Sequence, residues 1–398
     1  MIYMFFMAKE KGNPMINFDI EQFVGRYVTK REDSLLKADF ERNAEELHRR
    51  IDGKRMLVIG GAGTIGSNYV KAALKSFRPA AMYVVDIDEN QMTELTRELR
   101  SGAEYTVPDE YVTEPIDLGS ELFARFYRAK GPFDIVANFA ARKHVRAERD
   151  VFSIEAMCDT NVFMAKKLLD ILVENPPEAF FCVSTDKAAN PVNVMGATKK
   201  LMEEAIMAYS DKVPIKTARF ANVAFSNGSL PIGWINRIQK RQPIVCPTGV
   251  RRFFVSPVES GELCLFASVM ADSGDIVYPK LDSDADMVTF DSFLPDFLKA
   301  TGHEDWDVRY PAADTDGEKP YEEFYTDTDI KDEDKFQNLG VVKNAKKRPV
   351  EEVESMFGRL RAVFQKDGAT KEDVVGVLGE YLPNFHHIGS GKSLDGRM

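Results

Sequence analysis

With 398 residues and a formal net charge of −11, the chain has no basic excess to neutralise a nucleic-acid backbone. Its 44% hydrophobic and 29% charged residues are an ordinary globular mixture, and its length predicts a large α/β unit plus a smaller lobe. The apolar start MIYMFFM is far shorter than the roughly 20 residues of a membrane span and lacks a basic segment ahead of it, so neither a span nor a secretory leader is expected. Four cysteines without CxxC spacing and five histidines without ligand spacing predict a reduced, cytoplasmic protein with no metal site.

Residues 1–50 read as a charged helical extension in which Phe18, Ile20, Phe23, Val24 and Tyr27 share an apolar face. Arg55–Ile59 is a short apolar run suited to a strand buried on both faces. A glycine turn at 60–66, a helix to about Phe77, a strand at Ala81–Val85 and an acid at Asp86 complete a βαβ unit. Further strands are expected at Tyr111–Ile116, Ile135–Phe139, Ala179–Val183 and Thr217–Val223, with helices at Leu122–Ala129 and Thr160–Val173 between them. That alternation predicts a Rossmann-like, doubly wound parallel sheet. Beyond about 225 come a helix at Ile232–Lys240, short strands near Ile244 and Arg252–Val255, a helix at Val258–Met270, an acidic stretch at 305–350, and two amphipathic helices in 350–381 ahead of a polar, Gly-rich tail. The expected division is 1–50 as extension, 51–230 as the dinucleotide-binding domain and 231–398 as a substrate lobe with a helical end.

The heptad GGAGTIG at 60–66 stands between a strand and a helix. Gly60, Gly63 and Gly66 allow a tight turn and close backbone approach to a pyrophosphate, while Thr64 and Ile65 open a helix whose N–H groups face the anion. Asp86 lies 20 residues after Gly66, where a carboxylate accepts from ribose hydroxyls and repels a 2′-phosphate, so NAD is expected over NADP. Asp117 is placed either near the adenine or as a helix N-cap ahead of Gly119 and Ser120.

Five segments carry a resemblance: GGAGTIG, NFAARKHV at 138–145, TNVFMAKKLLD at 160–170, STDKAANPVNVMGATK at 184–199, and RFANVAFSNGSL at 219–230. Together they resemble the extended short-chain dehydrogenase/reductases, and more narrowly the bacterial 4,6-dehydratases of UDP-N-acetylglucosamine, over about residues 54–270. The resemblance implies a cycle in which C4 of a nucleotide sugar is oxidised, the C5 proton and C6 hydroxyl are eliminated as water, and hydride returns to C6. It further implies Thr185 on the C4 oxygen, Asp186 as acid at C6, Lys187 as base at C5 and Lys199 on the nicotinamide ribose. Lys143, Asn222 and Arg252 match positions near the sugar and diphosphate, His144 reads as structural, and Asn161 as a backbone bridge.

In short-chain dehydrogenases a tyrosine stands four residues before the catalytic lysine; here that position is Met195, which cannot relay a proton. Some relatives in the dehydratase group also carry Met there. The C4 proton then passes either to Asp186 or through a water in the space of the phenol. Four functions follow in order: a 4,6-dehydratase acting on a nucleotide N-acetylhexosamine, a dehydratase that also inverts C5, a 4-epimerase, and a non-catalytic NAD-binding sensor. The adjacent Asp186 and Lys187 favour the first two, because an epimerase eliminates nothing. Helical extensions at both ends predict a homo-oligomer.

Overall fold

The computed structural model describes residues 18–312, 317, 319 and 321–389; the apolar start and the tail from 390 onward lie outside the described residues. Strands β1 (Arg55–Ile59), β2 (Ala81–Val85), β3 (Glu110–Glu114), β4 (Ile135–Asn138), β5 (Ala179–Val183) and β6 (Ile215–Ala218) are parallel and alternate with helices. All residues of β2, β4 and β5 are buried, as central strands covered on both faces require, whereas every residue of the edge strand β3 is half-buried.

The sheet does not stop at residue 230. After β7 (Asn222–Val223), β8 (Ile244–Val245) and β9 (Arg251–Val255), the chain returns as β10 (Ile276–Pro279), parallel to β6. Following β11 (Met287–Thr289) and β12 (Val308–Arg309), the strands β13 (Lys331–Asp332) and β14 (Leu339–Val342) add antiparallel at the same edge. The nine-stranded order is β13-β14-β10-β6-β5-β4-β1-β2-β3. The expected boundary at 230/231 therefore does not separate the sheet from the rest of the chain. The strand expected over Thr217–Val223 is likewise two pieces: β6 ends at Ala218, and β7 pairs instead with β9 in a small separate sheet.

A second core lies in the lobe. Trp234, Phe225, Phe254, Phe293 and Phe297 pack there with Phe18, Ile20, Phe23, Val24 and Val28 of the N-terminal segment. Each of these five N-terminal side chains contributes about 1.5–3 kcal/mol on burial, which seats the segment on the lobe. Arg31 then forks onto both carboxylate oxygens of Glu259 at 2.8 Å, and Leu36, Leu47 and Ile51 join the main core. The extension is thus built into both cores.

Candidate functional site

The strand order reverses between β1 and β4, leaving a crevice at their C-terminal ends. The loops after β1, β4 and β5, with the segment 220–227, wall a cavity of about 300 Å³ there. Gly60, Gly63, Thr64, Ile65, Gly66, Lys143, Thr185, Lys187, Met195, Lys199 and Asn222 all stand on its wall.

The glycine loop has the shape that a dinucleotide needs. Gly60 holds φ +70°, and its N–H donates to Val85 O at 2.7 Å. A Cβ on Gly66 would strike the Gly60 carbonyl oxygen, so only glycine lets the helix Thr64–Ser76 start this close to β1. Asp86, at the tip of β2, accepts from Ala62 N at 2.9 Å and from Asp88 N at 3.0 Å, so its carboxylate is held against the same loop. These residues fit NAD: backbone donors at a helix start for the pyrophosphate, and a carboxylate beyond them for a ribose. Asp117 is exposed and accepts from Gly119 N at 2.7 Å; Ser120, not Asp117, caps the helix Glu121–Lys130.

After β5 the chain runs extended through Thr185 and turns over Asp186–Ala188. Asp186 is 3% exposed, and its Oδ1 accepts from Thr185 Oγ1 at 2.7 Å, Lys187 N at 2.8 Å and Lys187 Nζ at 3.0 Å. Hydroxyl, carboxylate and ammonium are therefore in one hydrogen-bonded set. Asn193 caps the helix Val194–Met207, which places Met195 and Lys199 one turn apart on the cavity side. The helix can approach because residue 196 is glycine: a Cβ there would lie 2.5 Å from Lys187 O. Lys199 Nζ donates to Val183 O at 2.6 Å, and burial pushes its ammonium below the ordinary value.

The remaining expected residues fall in different places. Lys143 is exposed, at the cavity wall. Asn222 Oδ1 accepts from Lys187 Nζ at 3.5 Å, and its buried Nδ2 has no hydrogen-bond partner among the described residues. Arg252 lies off this cavity; its Nη1 donates to the carbonyls of Arg251 at 2.8 Å and Lys319 at 3.0 Å. Asn161 bridges Arg142 N, Arg142 O and Thr198 Oγ1 at 2.8–3.0 Å. The His144 ring packs over Gly228.

Three groups near the site were not singled out in the sequence. Glu322, 4% exposed, brings Oε1 to 3.9 Å from Lys187 Nζ. Behind Thr185, Glu203 accepts from Ser184 Oγ at 2.6 Å and is forked by Arg219 at 2.8 and 2.7 Å. Burial alone would raise the Glu203 carboxyl, but Arg219, Lys200 and Ser184 bring it down to about 2. At the head of the helix carrying Met195 and Lys199, Glu148 accepts from Val194 N at 2.6 Å, Lys371 Nζ at 2.9 Å and His387 Nε2.

Comparison with known proteins matches a family model described as polysaccharide biosynthesis protein over residues 56–344. An uncharacterised membrane protein of Methanocaldococcus jannaschii is 34% identical over 297 residues, covering 73% of this chain and 85% of the relative. No helix among the described residues is long and apolar enough to cross a membrane. A UDP-N-acetylglucosamine 4,6-dehydratase (inverting) of Campylobacter jejuni is 28% identical over 242 residues, 58% of this chain and 68% of that one. A UDP-glucose 4-epimerase of Rickettsia canadensis is 34% identical over 153 residues, 37% of this chain and 44% of that one. Among solved structures, Pen from Bacillus thuringiensis superposes with a TM-score of 0.65 at 22% identity, covering 75% of this chain and 90% of that one. The chain belongs to the polysaccharide biosynthesis protein family, with the Rossmann-like fold of the extended short-chain dehydrogenase/reductases.

Proposed function

We propose that the chain is an NAD-dependent 4,6-dehydratase of a nucleoside-diphosphate N-acetylhexosamine, with UDP-N-acetylglucosamine the first substrate to test. The observation that carries this reading is the joined set Thr185–Asp186–Lys187, in which buried Asp186 stands behind Thr185 and Lys187 on the wall that also holds the glycine loop. A 4-epimerase needs one proton acceptor at C4. An elimination needs in addition a base at C5 and an acid at C6, and Asp186 and Lys187 supply both within 3.0 Å of each other. When bound, NAD supplies the acceptor for hydride from C4 and the donor of hydride to C6.

The proton movements close without a tyrosine. Thr185 Oγ1 accepts the C4 hydroxyl proton while giving its own to Asp186, along the 2.7 Å bond already present. Neutral Lys187 takes the C5 proton. Asp186, now protonated, gives its proton to the C6 oxygen, so the C4 hydroxyl proton leaves in the water. Lys187 returns a proton to C5 after C6 is reduced. Lys199 places positive charge beside the ribose and the developing alkoxide, and Lys143 and Asn222 face the sugar and its diphosphate from the cavity wall.

The test is incubation of purified protein with UDP-N-acetylglucosamine in deuterated water, read by mass spectrometry and proton NMR. Loss of one water with deuterium at C5 is expected, and the C5 coupling constants then tell retention from inversion. A product epimeric at C4 with no water lost would establish the epimerase instead. Bound NAD with every nucleotide sugar left intact would establish the sensor.

A further inference from the structure

We propose that Glu322 is a positioning residue for Lys187: it takes the ammonium's proton and so makes Lys187 the neutral base. The inference rests on the dehydratase reading, and one problem inside that reading motivates it. Asp186 is the neighbour to which Lys187 donates, but in the cycle above Asp186 is filled by the C4 proton through Thr185. Lys187 needs a different acceptor before it can take the proton from C5.

Glu322 occupies the required place. Among the described residues, three side-chain oxygens stand near Lys187 Nζ: Asp186 Oδ1 at 3.0 Å, Asn222 Oδ1 at 3.5 Å and Glu322 Oε1 at 3.9 Å. The amide oxygen of Asn222 cannot take up a proton at neutral pH, so among the described residues the carboxylate of Glu322 is the remaining acceptor. At 3.9 Å a small side-chain movement or one bridging water completes the transfer. The balance is simple: one N–H bond of Lys187 breaks, one O–H bond of Glu322 forms, and the net charge of the cluster does not change.

The surroundings suit that exchange. Burial pushes the Glu322 carboxyl above its ordinary value and Asp186 adds to this, while Lys187, Arg252 and Lys319 pull it down. A carboxylate with raised proton affinity narrows the gap to the ammonium. Lys319 is itself held by Asn190 O, on the stretch after β5, at 2.7 Å, and Arg252 by Lys319 O at 3.0 Å, so both cations are fixed by backbone carbonyls. Glu322 also lines a second cavity of about 570 Å³, with Phe253, Tyr278 and Tyr325. It therefore stands between the base and a second cavity, and its burial keeps the shared proton within the pair.

The experiment compares kcat against pH for wild type, Glu322→Gln and Glu322→Asp in the dehydration assay, with NAD and nucleotide sugar saturating. A shared Lys187–Glu322 proton makes the wild-type profile flat across neutral pH, because the neutral base arises without losing a proton to solvent. In Glu322→Gln that route is gone. Its kcat is expected to fall by about 100-fold at pH 7 and to climb about tenfold per pH unit above that. Glu322→Asp keeps a titratable carboxyl and is expected to keep the flat profile at a lower rate. A fall in Glu322→Gln that is equal at every pH would mean a structural role, and a rise at neutral pH would mean that Glu322 only holds Lys187 protonated; either overturns the proposal. A wild type inert toward every nucleotide sugar overturns the dehydratase reading and this role together, whereas an active wild type with an unchanged Glu322→Gln overturns the role alone.

Discussion

Thr185 donates its hydroxyl hydrogen to Asp186 at 2.7 Å, and Met195, 4% exposed, lies on the wall of the same cavity. In the proposed reaction the hydroxyl and carboxylate form the proton path that the thioether cannot. Thr185→Val keeps the shape and removes the path. Its kcat is expected to fall about 100-fold with KM changed little, since the lost transfer belongs to the chemical step. Met195→Tyr is expected to leave kcat no higher and to cost about 1–3 kcal/mol by overpacking a buried position, read by urea denaturation. A tenfold gain in kcat from Met195→Tyr would show that the Thr185 path is not the working one.

Gly66→Ala tests the cofactor site independently of turnover. The new Cβ would meet the Gly60 carbonyl oxygen, so the loop must move away from the helix start that would face the pyrophosphate of NAD. NAD affinity by calorimetry should weaken at least about 100-fold while the fold persists. Asp86→Ala should weaken NAD by about 1.5–3 kcal/mol, the worth of a hydrogen bond to a charged group, and should narrow the preference over NADP. A variant that binds both cofactors as wild type does would remove Asp86 from the ribose.

Buried Arg219 and Glu203 anchor the loop after β5 through Ser184, and Arg219 also holds Phe324 O, two residues beyond Glu322. Arg219→Met leaves Glu203 as an uncompensated buried charge and is expected to cost about 3–5 kcal/mol. The pH dependence has a definite sign. The Glu203 carboxyl stands at about 2 in the folded chain against an ordinary 4.5, so the unfolded chain binds the extra proton between those values. Its contribution, on the order of 3 kcal/mol, is complete above about pH 4.5 and is lost as pH falls toward 2. Urea midpoints at pH 7, 5 and 3.5 read this slope, and Arg219→Met should lack most of it.

The sequence made the centre of the site readable because its signals are local. The glycine spacing, Asp86 after β2 and Asp186 beside Lys187 each lie within one strand–turn–helix unit, where spacing fixes geometry. Glu322 carries no such mark. It lies next to Glu323 in an acidic stretch without period, and only the return of the chain past β10 brings one of the two to Lys187. Ile276–Pro279 and Leu339–Val342 are four-residue runs too short for a period to identify as strands, so the sequence alone ends the sheet at Thr217–Val223. The apolar face of Phe18, Phe23 and Val24 was legible, but its partners Phe225 and Phe297 are distant in sequence and were not.

The same limit hid the placement of residues 385–389, which the sequence marks only as part of a polar, Gly-rich tail. His386 N donates to Pro191 O at 3.1 Å and Ile388 N to Val192 O at 2.9 Å, which pins this strip along the approach to the Met195 helix. Glu148 ties the two together from below through Val194 N, Lys371 and His387. Burial works to raise the Glu148 carboxyl, but those partners outweigh it and hold it below the ordinary value. Glu148→Gln weakens every one of these bonds at once, so the head of the helix should fray. Amide exchange at 194–199 is expected to quicken and kcat to fall, while NAD affinity, set by the loop after β1, should stay within about twofold of wild type, since removing one capping group acts mainly on its own helix turn. Equal loss of NAD binding and kcat would mean that the strip supports the whole crevice rather than the helix Val194–Met207 alone.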